Sequence, residues 1–476
     1  MMLLPRIFFG LFCLAIAEII LFHTDSKWTD CGLVILEALK PGRHIVSDVH
    51  SPLEEEKEHE TSVECHGRRI FMYDLPSKFN VNYYLNETLC RGGLMAWMDL
   101  CERFQHGGYG RRYYLAENEY EGQWDGDWYD RDFYMLEAIF HSRMLTYTCR
   151  TLDPKKADAF FVPYYTGIDA LPLLYAKPNT FDTFEKRKAF GSEIVDWLDQ
   201  NAHEFWHKYQ GRDHFIMLGR TCSDFRPRRE WGTGWVDRPY MSNVVQLTIE
   251  SEKENEQAVP YPTAFHPSSP ERLRSWVSEV ERAERTFLVV YVGAPRPELD
   301  WSIRGIVSRE CKEAGNTSCH MVDCSKLTCS HSPVLIYKTF LQSNFCLQPR
   351  GDSATRRSTF DCMIAGSIPV FFHRDSAYSQ YTWHLPQDPS SYSVFISEDE
   401  LKDAKSILKV LESYFPERIQ KMRDTILSFI PNLIYNNFSN SISSNQKDAF
   451  ELSIERVLER IADSMKGLRA TGGGSK

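Results

Sequence analysis

The sequence predicts an α/β protein built from two facing Rossmann-like domains behind an N-terminal membrane anchor. Three observations carry that prediction. Short strand-like apolar runs alternate with helix-length segments on both sides of a break near residue 260, two strand-like runs in the second half end in glycine- and proline-containing turns, and an apolar stretch opens the chain. The 476 residues include 29 Phe, 23 Tyr and 11 Trp, enough to fill cores of this size, and 26 Gly with 23 Pro are too few for a collagen-like or low-complexity chain. The formal net charge of −10 leaves no cationic excess to neutralise a nucleic-acid backbone, so nucleic acid is excluded as a partner.

Residues 1–22 read as the anchor. Ile7 to Phe22 is apolar except for Gly10 and Glu18 and follows Arg6; with the charge kept in the cytosol, the bulk of the chain would be lumenal. Ala15-Ile16-Ala17 also fits a signal-peptide cleavage site. Both readings export the chain, and the apolar residues Ile19 to Phe22 beyond the potential cut favour an anchor. Residues 23–64, with Glu54-Glu55-Glu56-Lys57-Glu58 and no sustained apolar period, read as a solvated stem. Of the 13 cysteines, the group Cys311, Cys319, Cys324 and Cys329 lacks paired zinc-ligand spacing, which points to disulfides instead of a metal; the pairing is not readable from spacing. Sequons at Asn86, Asn316 and Asn437 agree with a glycoprotein of the secretory pathway.

The first folded domain is expected over 65–262. It opens with a strand at Arg69 to Tyr73, continues through a helix over about 131–147 and a buried strand at Ala157 to Tyr164, and then a long helix from Glu185 to Tyr209 precedes a strand at His214 to Leu218. Residues 251–272, rich in Glu, Pro and Ser, form the join. The second domain, 263–476, places strands at 287–292, 344–347 and 368–372, helices at 302–314 and 356–365, and a mainly helical last hundred residues ending in a flexible tail at Thr471-Gly472-Gly473-Gly474.

Chemistry concentrates where strands end in the second domain. Strand 287–292 runs into Gly293-Ala294-Pro295-Arg296-Pro297, with Arg304 in the next helix; strand 344–347 runs into Gln348-Pro349-Arg350-Gly351-Asp352-Ser353, with Thr355, Arg356 and Arg357 entering another. Ligands of open α/β sheets bind beyond the carboxyl ends of strands, glycine lets a backbone approach closely, and arginine forks match phosphate oxygens. Asp361 shares a helix face with Arg357. These residues describe a nucleotide-diphosphate pocket, and an ordinary helix start with an i,i+4 ion pair is the plain alternative. No G-x-G-x-x-G follows a strand, which disfavours an NAD enzyme. Asp125-Gly126-Asp127 has a metal-binding D-x-D form but reads as a surface turn, and Arg350-Gly351-Asp352 reads as part of the phosphate turn.

The run from Ser343 to Phe372, with Asn344-Phe345-Cys346-Leu347-Gln348-Pro349-Arg350-Gly351-Asp352-Ser353 at its head, resembles the exostosin-type glycosyltransferase family. The run from Ser376 to Pro386, Gly293 to Pro297 with Ser302 to Gly305, and Val259 to Pro267 are similar to its plant branch of xyloglucan galactosyltransferases. In the first half Ile70 to Pro76, Ala157 to Pro163, and Gly219-Arg220 before Asp224-Phe225-Arg226 also match, so the resemblance covers about residues 65 to 460. It implies a Golgi type II membrane enzyme of GT-B fold that transfers a sugar, galactose above all, from a UDP-sugar to xyloglucan with inversion and without an essential metal or other cofactor. Galacturonic acid or a pentose as donor sugar, and a non-catalytic lumenal carbohydrate-binding protein, are the alternatives. The implied partners are the UDP-sugar, a polysaccharide acceptor, the membrane and other Golgi glycosyltransferases.

On that resemblance, Gly293, Arg296, Arg304, Arg350, Gly351, Ser353, Arg356 and Arg357 form the set from which diphosphate contacts come, and Asp361 accepts from ribose hydroxyls. Two positions depart from the family pattern: Ser358 stands where many relatives have arginine, and Ser367 where many have cysteine. Inversion needs a base from the first domain, for which Glu250, Asp224 and Asp169 are the candidates. His266 is expected to be structural, and Trp231, Trp235, Tyr381 and Trp383 are candidates for stacking on sugar faces.

Overall fold

A computed structural model describes residues 65–472 except 96–98, 114–125, 131–133, 177–180, 228–230, 297, 300, 316–317, 327–328, 330–332, 404–405 and 439–445. The expected anchor, the stem, Cys13, Cys31, Asp125 and the sequon asparagine at 316 lie outside the described residues. Among the described residues no helix is long and apolar enough to cross a membrane.

The first half of the chain builds a parallel sheet from β1 (Ile70–Met72), β2 (Arg150–Thr151), β3 (Ala159–Val162), β4 (His214–Met217), β5 (Val245–Thr248) and β6 (Glu256–Ala258), in the order β2-β1-β3-β4-β5-β6. The second half builds another from β7 (Phe287–Gly293), β8 (Cys319–Asp323), β9 (Ser343–Gln348), β10 (Ile368–Phe371) and β11 (Val394–Phe395), in the order β8-β7-β9-β10-β11. Every pairing in both sheets is parallel. Parallel strands covered on both faces need apolar side chains throughout, and every residue of β3, β4 and β10 is buried accordingly.

The apolar runs at 69–73, 157–164, 214–218, 287–292, 344–347 and 368–372 are strands, and α1 (Leu136–Leu145) lies within the helix expected there. The single helix expected over Glu185 to Tyr209 is instead three: Phe181–Ala189, Ser192–Asn201 and His203–Lys208. Gly191, at φ 80°, turns the chain where one continuous helix would require φ near −60°. The join holds more order than its composition implies. β6 lies in it, and α2 (Pro270–Arg282) starts inside it, opened by Ser269, whose side chain accepts the Arg272 N–H, and by Pro270 in the first turn. The last helix, Ala449–Gly472, takes in Thr471 and Gly472, which composition placed in a tail.

Ten cysteines pair as Cys65–Cys149, Cys90–Cys101, Cys311–Cys319, Cys324–Cys329 and Cys346–Cys362, and Cys222 is the free cysteine among the described residues. The two sheets share their surroundings. Tyr381 donates its hydroxyl to the Ile249 carbonyl (2.9 Å) and Gln380 accepts from the Ser251 N–H (2.8 Å), tying the segment after β10 to the edge of the first sheet. The chain then returns to its first half: Arg143 of α1 donates to Asp448 (2.5 Å) and to the Asn436 carbonyl (2.6 Å), and Phe140 meets Phe450 edge to face. Asp127 is buried and accepts from Arg272 and from the Ser268 N–H (3.0 Å), so it is an internal tie and not a surface turn.

Candidate active site

A cavity of about 520 Å³ opens between the carboxyl ends of the two sheets. One wall comes from residues after β4 and β5, among them Arg220, Thr221, Asp224 and Ile249; the other comes from the turns after β7 and β9. This is where a parallel sheet leaves helix N-termini and irregular backbone free to meet a ligand.

The turn after β9 is shaped by its own sequence. Gly351 donates its N–H to the Ser353 carbonyl (3.1 Å), and a Cβ at Gly351 would come within 3.0 Å of Arg356 Nη1, so glycine lets that guanidinium lie against the turn. Burial, reinforced by nearby Arg304, holds the Arg356 guanidinium below its ordinary pKa. α3 (Ser358–Ile364) starts directly after Arg357, and Asp361 in its first turn is 2% exposed while lining the cavity. The Tyr337 hydroxyl donates to Asp361 Oδ1 at 2.6 Å. In the turn after β7, Tyr291 donates to the Ala294 carbonyl (3.1 Å), which brings Gly293 and Ala294 to the cavity rim.

Of the residues singled out from sequence, the structure brings Gly293, Gly351, Ser353, Arg356, Arg357, Asp361 and Asp224 together around this cavity. Arg296, Arg304 and Arg350 fall elsewhere, lining a smaller hollow of about 250 Å³ that adjoins the cavity at Gly351. Arg350 is turned outward because Glu398 takes its guanidinium in two bonds, at 2.6 and 3.0 Å, and Arg304 reaches Asp352 at 3.6 Å. Asp169 lies in a separate pocket, where the hydroxyls of Tyr83 (2.5 Å) and Tyr164 donate to it, so its position on a helix start after β3 does not carry it into the cleft. Glu250 is buried beneath the turn after β9, accepting the Thr355 N–H (2.8 Å) and hydroxyl (2.7 Å). Asp224 accepts from Arg220 Nε at 2.7 Å through Oδ2, and its Oδ1 makes no hydrogen bond among the described residues.

Trp231, 40% exposed, stands in the cavity wall, whereas Trp235 and Tyr381 are buried and Trp383 packs on the core. His266 is buried against Tyr109 and bonds the Tyr435 carbonyl (2.7 Å).

Sequence reasoning passed over three residues. Glu137 of α1 is a buried carboxylate that accepts the N–H groups of Gly167 (2.5 Å), Ile168 (3.2 Å) and Gly219 (3.1 Å); burial pushes its pKa up to about 8 against those donors. Tyr134, just before α1, and Tyr261 line the cavity, and the Tyr261 hydroxyl lies 3.0 Å from Thr355 Oγ1. Glu137 lies inside a helix, and neither Tyr134 nor Tyr261 stands in a glycine-rich run, the signal that marks the other wall. Among the described residues no cluster of His, Cys, Asp and Glu could hold a metal ion.

Two parallel-sheet lobes with a cavity at their carboxyl edges, cations and a glycine turn on one side and carboxylates on both, define an α/β protein equipped for an anionic ligand next to a polar one. Residues 64–411 match the Exostosin GT47 domain, and the chain belongs to this glycosyltransferase family. It is 39% identical over 407 residues to the xyloglucan galactosyltransferase XLT2 of Arabidopsis thaliana, covering 84% of this chain and 76% of that one. It is 38% identical over 417 residues to a probable xyloglucan galactosyltransferase, GT12, of the same plant, covering 86% and 79%. Among solved structures, a pneumococcal O-GlcNAc transferase, GtfA, aligns at a TM-score of 0.29 and 11% identity over 58% of this chain and 60% of that one, a likeness too distant to carry an assignment.

Proposed function

We propose that this protein is an inverting transferase of GT-B type that moves galactose from UDP-galactose to a xyloglucan side chain. The observation that carries the reading is the cavity itself, where Gly351, Ser353, Arg356 and Arg357 face Asp224 and Trp231 across a space of nucleotide-sugar size. The similarity to relatives named xyloglucan galactosyltransferases supports the sugar and the acceptor.

In the transfer, an acceptor hydroxyl oxygen forms a bond to the anomeric carbon while the bond from that carbon to the β-phosphate oxygen breaks. The electron pair leaves with UDP, and the hydroxyl proton passes to a base. Fixed cations and N–H groups of the Gly351–Arg357 turn stabilise the charge that develops on the departing diphosphate, a task they can perform without a metal. Asp361 holds the ribose. Asp224 is the base best placed on the opposite wall, with Oδ2 fixed by Arg220 and Oδ1 left for the hydroxyl. Residues 1–22 anchor the chain in the Golgi membrane with the catalytic part in the lumen, where disulfides form and other Golgi glycosyltransferases are potential partners.

The test is a donor screen with the purified protein, a panel of UDP-sugars and xyloglucan oligosaccharides, reading the product linkage by NMR. A β-galactosyl product is expected. Transfer of galacturonic acid or a pentose instead would replace the donor assignment, and UDP binding without turnover would favour a carbohydrate-binding protein.

A further inference from the structure

The pocket that holds Asp169 has a volume of about 410 Å³ and lies at the carboxyl edge of the first sheet, its walls drawn in part from residues that follow β1 and β3. The first turn of the helix Thr166–Leu174 stands between it and the active-site cavity. A Cβ at Gly167 would come within 2.8 Å of Arg220 Cγ in the active-site wall, and Asp169, two residues further on, lines the second pocket. Asp169 is half-buried and accepts the Tyr83 hydroxyl through Oδ1 (2.5 Å) and the Tyr164 hydroxyl through Oδ2. Both phenol protons are thereby committed. Burial, with the Asp169 charge beside them, holds both tyrosines well above their ordinary pKa, so those protons stay in place. A carboxylate has about four lone-pair sites and a phenol oxygen also accepts, so the cluster offers acceptors to a ligand and no donor.

Charge narrows the ligand. Among the described residues the walls carry two ammonium groups, Lys78 and Lys186, and two carboxylates, Asp169 and Glu193. Lys78 is paired with Glu193 at 2.6 Å and Lys186 with Asp182 at 2.8 Å. An ammonium ligand would meet the two lysines, and an anion would meet Asp169. A neutral group with several hydroxyls suits both sides, donating to the Asp169 cluster and accepting from the Ser192 hydroxyl in the same walls. Phe79 and Phe190 add apolar wall for the C–H faces of a sugar ring. A polymeric acceptor extends past the one residue that reacts, and this pocket stands a single helical turn behind the wall that carries Arg220 and Asp224. Resting on the transferase reading above, we propose that the Asp169 pocket is a remote subsite for the neutral sugar backbone of the acceptor, in which Asp169, Tyr83 and Tyr164 accept from its hydroxyls.

The test uses the full-length protein, UDP, and xyloglucan oligosaccharides of one and of several repeats. UDP affinity is measured by calorimetry and oligosaccharide affinity by NMR titration, neither of which needs turnover. Wild type is expected to bind the long oligosaccharide about tenfold more tightly than the short one. Two variants are compared with it: Asp169→Asn, which keeps the shape but loses the charge and one acceptor oxygen, and Ser192→Gln, which extends a half-buried side chain into the pocket. Each is expected to remove most of the gain from length, with UDP and the short oligosaccharide bound within about twofold of wild type. Should Asp169→Asn fail to fold, Ser192→Gln decides alone. The proposal is overturned if the gain from length survives in Ser192→Gln, or if the variants weaken the short and long oligosaccharides equally. A wild type that binds neither UDP nor either oligosaccharide overturns the transferase reading and the subsite together, whereas binding of UDP and of both oligosaccharides with no gain from length overturns the subsite alone.

Discussion

Glu250 Oε2 accepts both the backbone N–H of Thr355, at 2.8 Å, and its hydroxyl, at 2.7 Å. A carboxylate from the first half of the chain thus caps the turn that carries Arg356 and Arg357 in the second. The Glu250 carbonyl in turn accepts the Cys222 N–H (3.0 Å), so the same residue ties the Arg220–Asp224 segment to the Gly351–Arg357 turn. That geometry separates two roles for Glu250. A general base would leave UDP affinity intact when neutralised and abolish turnover. As a cap, Glu250→Gln keeps one acceptor oxygen but loses a charge-assisted pair, so UDP affinity is expected to fall about tenfold together with turnover. Calorimetric titration of UDP into the variant decides between them.

The proposed reading has Asp361 and Arg356 act on different parts of a nucleotide. Asp361 lines the cavity with its carboxylate fixed by the Tyr337 hydroxyl, and as the proposed ribose acceptor its change to Asn is expected to weaken UDP and UMP alike, by about tenfold. Arg356 lies against Gly351 in the turn after β9, and as the proposed diphosphate ligand its change to Gln should weaken UDP about ten- to a hundredfold and UMP much less. Measuring both ligands on both variants checks the assignment. Equal losses for Arg356→Gln would move that guanidinium away from the β-phosphate.

Strands β7, β9 and β10 of the second sheet and the glycine turn after β9 were legible because burial imposes near-continuous apolar runs and the turn demands glycine, whereas β8 and β11, at the two edges of that sheet, were not. Cations mislead more easily. Arg296, Arg304 and Arg350 sit within a few residues of the correct turns, but the side-chain direction that sends Arg350 to Glu398 depends on a helix 48 residues away. Asp169 fails for a similar reason, since Tyr83 and Tyr164 draw it into its own pocket. The Glu250 contact was hidden because it spans 105 residues.

Two buried histidines set an acid limit. His141 bonds Tyr165 (3.1 Å) and His384 faces the Ala449 carbonyl (3.3 Å), and burial pushes the pKa of each down to about 4 from 6.5. Below 6.5 the unfolded chain takes up protons that the folded one refuses. The stability these groups contribute is therefore complete above pH 6.5 and is lost as pH falls towards 4, at up to roughly 1.4 kcal/mol per pH unit for each histidine. Glu137 works in the opposite sense between 4.5 and about 8. Urea midpoints at pH 7 and pH 5 for wild type and for His141→Gln/His384→Gln isolate the histidines, and the double variant is expected to lose less stability between the two pH values.

Disulfide removal should divide stability from function. Cys65–Cys149 closes a loop of 84 residues and brings the start of the first half beside β1, where Ile70 donates to the Cys149 carbonyl (3.0 Å). On chain entropy alone a closure of that length stabilises the fold by about 4–5 kcal/mol, whereas Cys324–Cys329, only five residues apart, contributes about 2 kcal/mol. The short bridge, however, lines the cavity beside Gly293 and the long one does not. Cys65→Ser/Cys149→Ser is therefore expected to lower the unfolding midpoint strongly while the folded fraction binds UDP normally. Cys324→Ser/Cys329→Ser should cost little stability but weaken UDP. Denaturant titrations paired with UDP titrations on both variants check the contrast, and a UDP affinity unchanged in the second would place the bridge outside the donor site.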